Sequence, residues 1–285
     1  MPKPDTDQAY CANQVRAFDK DRYLAILLTP ITVRGHLFAL YAFNIEIAKI
    51  REVVSEALLG EMRLNWWREA IEAIYHGDVG EHPVVRALER AIVECTLPQK
   101  PFLDLLNARQ FDLYEAPMKT VAEFDAYTGA TSSVLFQLAS FIVGGRAAAK
   151  AAEASGHAGI AYALQGLIRA APIHAERGQL YLPLEVLDHS DVEIKDYYSA
   201  TMTPALATAF RELHDIAHYH LALAEEHLAT APVDVFAAFL PASLIKPYLK
   251  KIANQDYDPF AGSIEISQLA RQWRLWRTAG KGRFG

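Results

Sequence analysis

An all-α fold follows from three features of the sequence. Apolar residues recur at helical spacing from Arg22 to the end of the chain, no sustained run alternates apolar and polar residues, and no Asn-Gly or Asp-Gly hairpin signal occurs. Prolines and glycines then cut the periodic pattern into about ten or more helices.

In chain order, Met1 to Lys20 is polar and charged, without the apolar core of an export signal and too acidic for an organelle transit peptide. It is expected to be a flexible end. Thr29-Pro30, Gly77 to Pro83 and Pro98 to Pro101 separate the next helices. Val134 to Val143 is the most apolar stretch, but Gln137 and Ser140 interrupt it. It covers only about half of the ~20 residues that a membrane span needs, so it reads as a buried helix. Gly144-Gly145 ends that helix, and alanine-rich Ala147 to Ala154 is expected to be an exposed short helix or loop. Pro172 and Pro183 are further breaks. Thr203 as N-cap and Pro204 at the first helical position open a helix running to about Ala229. Pro232, Pro241 and Pro259 divide the remainder, and residues 278–285 are expected to be a second flexible end.

The chain has 285 residues, enough to bury a sizeable core, and is expected to form one domain over 1–285. Its net charge of -6, with no basic stripe along most of its length, argues against a nucleic-acid partner. Cys11 and Cys95 belong to no CxxC or Cys/His pattern, which suggests neither disulfides nor a zinc site and points to a reducing, cytoplasmic compartment.

Two stretches carry a resemblance. From Leu27 the sequence reads LLTPITVRGHLFALYAFNIEIAKIREVVSE, followed by EMRLNWWREAI ending at Ile71; Gln165 to Pro183 reads QGLIRAAPIHAERGQLYLP. Arg34, Ala39 to Phe43, Trp67 and Arg68 in the first, and Arg169, Arg177, Gly178, Tyr181, Leu182 and Pro183 in the second, resemble the squalene/phytoene synthases. That resemblance implies an isoprenoid-synthase-type helical bundle around a central cavity. It also implies a chemistry in which an allylic diphosphate ionises while magnesium, held by two aspartate-rich segments, neutralises the departing charge.

The departures concern those aspartates. The first metal segment falls on Ala48, Lys49 and Glu52, and the second on Ala170 and His174. Only Glu52 offers an oxygen ligand, and Lys49 would repel the ion. Pro172, between Ala170 and His174, is expected to spoil the i, i+4 projection of that pair. Glu52 and Glu56 share a helix face with Glu46 nearby, but Lys49 and Arg51 are interleaved, the pattern of a salt-bridged surface. No resident metal is therefore expected; magnesium would be needed only by an active prenyltransferase. The Asn-x-Glu stretch and the Arg-Ala-x-Pro-x-His core resemble the branch of the family that contains a mitochondrial complex I assembly factor. What this implies is a non-catalytic helper of complex I biogenesis, whose partner is a complex I subunit or assembly intermediate, at the inner face of an energy-conserving membrane.

Other candidates stand beside their plainer readings. Arg34, Tyr41, Arg169, Arg177 and Tyr181 are the residues expected to touch an isoprenoid or lipid ligand in a retained pocket; Tyr41 and Tyr181 are otherwise core aromatics. His174 is a ligand contact or a histidine satisfied by a neighbouring helix end. His214 and His218 in HDIAHYH have an i, i+4 metal spacing, but a solvated helix face is the better account. In QLARQWRLWRTAGKGRF, Trp273, Arg274, Trp276 and Arg277 suit an anionic membrane surface; the alternative is a packed helix with a basic tail. Three functions remain in view: a pseudoenzyme used in assembly, an active head-to-head prenyltransferase, and an isoprenoid or lipid carrier.

Overall fold

The computed structural model describes residues 6–114, 116–254, 257–262 and 265–284, and among them there is no β-strand. Fifteen α-helices follow one another: α1 (Thr6–Phe18), α2 (Lys20–Ile26), α3 (Ile31–Ala48), α4 (Ile50–Val53), α5 (Ala57–His76), α6 (Pro83–Cys95), α7 (Lys100–Arg109), α8 (Val121–Thr128), α9 (Val134–Gly144), α10 (Ala152–Glu176), α11 (Leu184–His189), α12 (Ile194–Tyr198), α13 (Pro204–Thr230), α14 (Ile245–Ile252) and α15 (Gln268–Lys281). Tight 3-10 segments at Gln110–Leu113, Gly145–Ala151 and Val233–Leu244, and a π-helical turn at Gly129–Ser133, join some of them.

α3 is apolar on nearly every side, so it can be stable only where other helices surround it. It packs against α1, α6 and α9 and forms one wall of the bundle; α10 and α13, the most extensively packed pair, form the opposite wall. α9 lies between them, its Leu135, Phe136, Leu138 and Ala139 buried, as its composition predicts. The stretch Val121–Glu176 contains one window long and apolar enough to cross a membrane, but most of that window is buried in protein. α13 opens as expected, with the Thr203 side chain accepting from the Leu206 amide.

At one glycine the close approach is to backbone, which cannot move aside. At Gly159 in α10, a β-carbon would lie 2.2 Å from Cα of Ser133, so only hydrogen fits where α10 crosses the π-helical turn.

Four expectations change. Residues 6–18, expected to be flexible, form α1 because Cys11 and Val15 are fully buried and Asp7 is held by Arg86 at 2.5 Å and Arg90 at 3.0 Å, both on α6. At the other end, Thr278 is buried in α15 and the Phe284 ring lies 5.7 Å from that of Phe236; residues 1–5 and 285 lie outside the described residues. Pro172 does not break α10, which runs through it. Buried Ile168, Ala171 and Ala175 pack that turn into the core, which outweighs the missing amide donor. The alanine-rich stretch is not exposed throughout: Ala148, Ala151 and Ala154 are fully buried, small side chains that let the backbone close on the bundle.

Candidate functional site

A cavity of about 200 Å³ opens between α3, α8 and α10, lined by Arg22, Asn44, Arg109, Tyr127, Thr131 and Tyr162 among others. Two guanidinium groups therefore border this space, and each has its own carboxylate.

Arg22, from α2, is almost wholly buried. It pairs with Asp19 at 3.0 Å and is sandwiched by aromatic faces, its Cζ 4.7 Å from the Tyr41 ring centre and 4.8 Å from that of Tyr162. Such stacking suits a planar, weakly hydrated cation. Burial pushes the Tyr41 hydroxyl up to about 12, so it is neutral at physiological pH.

Arg109 ends α7 and meets Asp112 on the following 3-10 segment at 3.0 Å. Asp112 is fully committed. Its Oδ1 accepts from the Tyr127 hydroxyl at 2.6 Å and from the Tyr181 hydroxyl at 3.1 Å, while Oδ2 takes the guanidinium. Arg109 also donates to the Tyr127 hydroxyl at 3.1 Å and to Oδ1 of Asn44 at 3.4 Å, which ties the network to α3. Burial, and next the negative charge of Asp112, hold the Tyr127 and Tyr181 hydroxyls well above their ordinary range, so both remain proton donors. The Nε atoms of Arg22 and Arg109 are buried without a hydrogen-bond partner among the described residues.

The metal-segment positions lie beside this network. Ala48 is the last residue of α3, Lys49 is its C-cap, and the chain restarts as α4 carrying Glu52. The Lys49 ammonium sits over the Phe18 ring. Burial lowers its pKa, with Glu46 and Glu52 opposing that effect. Across the gap, Ala170 and His174 are one turn apart on the continuous α10, so the i, i+4 projection survives and only the ligands are missing. His174 packs against Tyr181 with ring centres 4.7 Å apart and planes tilted by 50°, and burial, reinforced by nearby Arg177, pushes it down to about 4. It is a neutral imidazole at pH 7. Glu52 is joined to Arg177 at 3.0 Å, an ion pair linking α4 directly to the end of α10.

Magnesium does not fit these residues. It requires several hard oxygen donors. Two positions are methyl groups, one is a cation, one is a neutral nitrogen base, and the single carboxylate is occupied by an arginine.

The expected pocket residues divide. Tyr41 and Tyr181 are at the network. Arg34 is not: it sits in the first turn of α3 and donates from Nε to the Thr29 carbonyl at 3.0 Å, closing the α2–α3 bend. Arg169 lies over the Tyr248 ring at 3.7 Å, toward α14, with Glu265 at 3.4 Å, and Arg177 is half-exposed at the rim. Sequence reading missed Arg22, Asn44, Arg109, Asp112, Tyr127 and Tyr162. The i, i+3 Arg109–Asp112 spacing among aromatic residues was the available signal.

Comparison with known proteins adds to this geometry. The squalene/phytoene synthase family model matches residues 15–277. The chain belongs to the squalene/phytoene synthase family. It is 30% identical over 256 residues to a human protein named NADH dehydrogenase (ubiquinone) complex I, assembly factor 6, covering 90% of this chain and 77% of that protein. It is 24% identical to a presqualene diphosphate synthase of Zymomonas mobilis, covering 90% and 87%. A dehydrosqualene synthase crystal structure superimposes with a TM-score of 0.84 at 19% identity, covering 96% of each chain. The fold is therefore the all-α isoprenoid synthase bundle that the resemblance implied.

Proposed function

We propose that this chain is a non-catalytic member of the family that acts as an assembly factor for respiratory complex I. The similarity to mammalian assembly factor 6 over most of the chain supports the role. The Glu52–Arg177 ion pair carries the non-catalytic part, because it spends the one available carboxylate where the family's chemistry needs an oxygen-rich cation cage. Its partner is a complex I subunit or assembly intermediate.

The proposal includes a cytoplasmic protein held peripherally on the inner face of the inner membrane. In support, α15 turns Leu269, Trp273 and Trp276 outward, the two tryptophan rings 5.3 Å apart, with Arg277 exposed beside them. An apolar face rimmed by cations suits an anionic headgroup layer. Arg274 leaves the proposed contact set, since its Nε donates to the Ser243 carbonyl at 2.5 Å and burial lowers its pKa.

A second reading, an isoprenoid or lipid carrier, draws on the two buried guanidinium Nε donors at the cavity. A space of about 200 Å³ is smaller than the roughly 300–1,000 Å³ of small-molecule sites, so it suits a head group better than two prenyl chains. Mass spectrometry of lipid co-purifying with the protein tests that reading.

The deciding experiment pairs a gene deletion with an enzyme assay. Deletion is expected to lower complex I activity and leave isoprenoid products unchanged. Magnesium-dependent diphosphate release from farnesyl diphosphate by the purified chain would overturn the non-catalytic reading.

A further inference from the structure

At the N-terminal end of α10, the opposite end from Ala170 and His174, three ligand-type side chains converge that are spread over more than seventy positions of sequence. Glu153 and His157 are i, i+4 on the first turns of α10, and His227 comes from α13, the helix packed most closely against it. One potential donor atom from each lies within 4.8 Å of the others. We propose that Glu153, His157 and His227 form a binding site for one transition-metal dication of the zinc class.

The donor set is two imidazoles and a carboxylate, a combination that zinc takes with a fourth position left for water or an incoming ligand. Zinc bonds of about 2.0–2.2 Å place tetrahedral donors roughly 3.3 Å apart. The three donors must therefore close by up to about 1.5 Å, which side-chain rotation can supply because Glu153 is exposed and the two histidines are only half-buried. The His157 and His227 rings are already stacked, with centres 5.6 Å apart and an interplanar angle of 14°.

Two neighbours organise the site. Nδ1 of His157 is 2.9 Å from Nδ1 of His220, which lies two turns before His227 on α13. When His157 donates in that bond, its Nε2 keeps the lone pair a metal requires, so His220 serves as a positioning residue that fixes the tautomer. Asp125 on α8 adds a second negative charge acting on His157, and its Oδ1 is buried without a hydrogen-bond partner among the described residues. Two carboxylates beside the imidazoles make a net attraction for a dication. The pair that the sequence brings to notice, His214 and His218, gathers no third ligand-type side chain within the same reach among the described residues.

The inference does not depend on the assembly reading. Its test uses the untagged full chain, stripped with chelator, and titrates zinc chloride by calorimetry and cobalt(II) by visible absorption. One zinc per chain is expected, at about micromolar affinity or tighter, with the visible bands of low-coordinate cobalt. H157A/H227A should weaken zinc binding by about 100-fold or more, whereas H214A/H218A should remain within about 3-fold of the wild type. Glu153→Gln, at an exposed position that the fold does not need, should weaken it by about 10-fold; this variant decides the matter if the histidine pair proves too destabilised to purify. Zinc affinity no better than about millimolar, or wild-type affinity in these site variants, would overturn the proposal.

Discussion

Removing the Asp112 carboxylate is the sharpest test of the site's architecture. In Asp112→Ala, the Arg109 guanidinium loses its counter-ion at a position where its side chain is only 16% exposed. The hydroxyls of Tyr127 and Tyr181 lose their acceptor in the same step. Breaking a buried ion pair from one side costs about 3–5 kcal/mol, because the surviving charge stays buried and unpaired. At about 2.1 cal/mol/K per residue of unfolding entropy, that corresponds to a fall of about 5–8 °C in Tm for a chain of 285 residues. Asp112→Asn keeps an acceptor and should lose roughly half as much. Urea denaturation followed by circular dichroism measures both variants, and a double-mutant cycle with Arg109→Ala should give a coupling of more than about 1 kcal/mol. A loss below about 1 kcal/mol in Asp112→Ala would show that water reaches the network and that the pair is effectively solvated.

The remaining predictions concern the rim, the two ends and the helix crossing. Arg177→Ala should cost less than about 1 kcal/mol by denaturation, and less still in high salt, because both partners of the Glu52 pair are nearly half exposed. W273S/W276S should cut sedimentation with anionic vesicles while shifting stability by no more than about 0.5 kcal/mol; equal binding by wild type and variant would remove α15 from the membrane proposal. The hydrogen bond from Arg86 holds the Asp7 carboxyl below its ordinary range against the opposing effect of burial. A depressed folded pKa stabilises at neutral pH and loses its contribution as pH falls below about 4. Asp7→Asn should therefore flatten the acid limb of the stability–pH profile, and an unchanged limb would remove this pair from the acid response. Gly159→Ala should lose about 1–3 kcal/mol or more by denaturation, since the new β-carbon meets backbone instead of a movable side chain.

Much of the bundle was legible because its signals are local. Thr203-Pro204 is a cap written in adjacent residues, and the apolar run of α9 can be satisfied only in a core. Pro172 misleads because helix propensity is local, whereas the packing of Ile168, Ala171 and Ala175 that holds this turn in α10 is not. The loss of the metal ligands could be read from Ala48, Lys49, Ala170 and His174 directly, since ligand identity is a property of the residue. What replaces the ligands could not be read. Glu52 and Arg177 are 125 positions apart, and Arg22 meets Tyr162 only after α2 folds onto α10. The same holds for Glu153 and His227: neither looks like a ligand until two helices are laid side by side.

The charges at the site are arranged differently from those of a magnesium cage. In a magnesium-dependent member, two carboxylate clusters facing each other would repel without the ions between them. Here that repulsion is absent. The first segment presents Lys49 and a Glu52 already neutralised by Arg177, and the second presents a neutral His174 packed on Tyr181. The guanidiniums of Arg22 and Arg109 are each balanced by a carboxylate, Asp19 and Asp112. Arg22, Arg109 and Glu52 are thus each compensated by a partner within the chain. A bundle whose site charges are paired internally is suited to presenting its outer surface to a protein partner, which is what an assembly role requires.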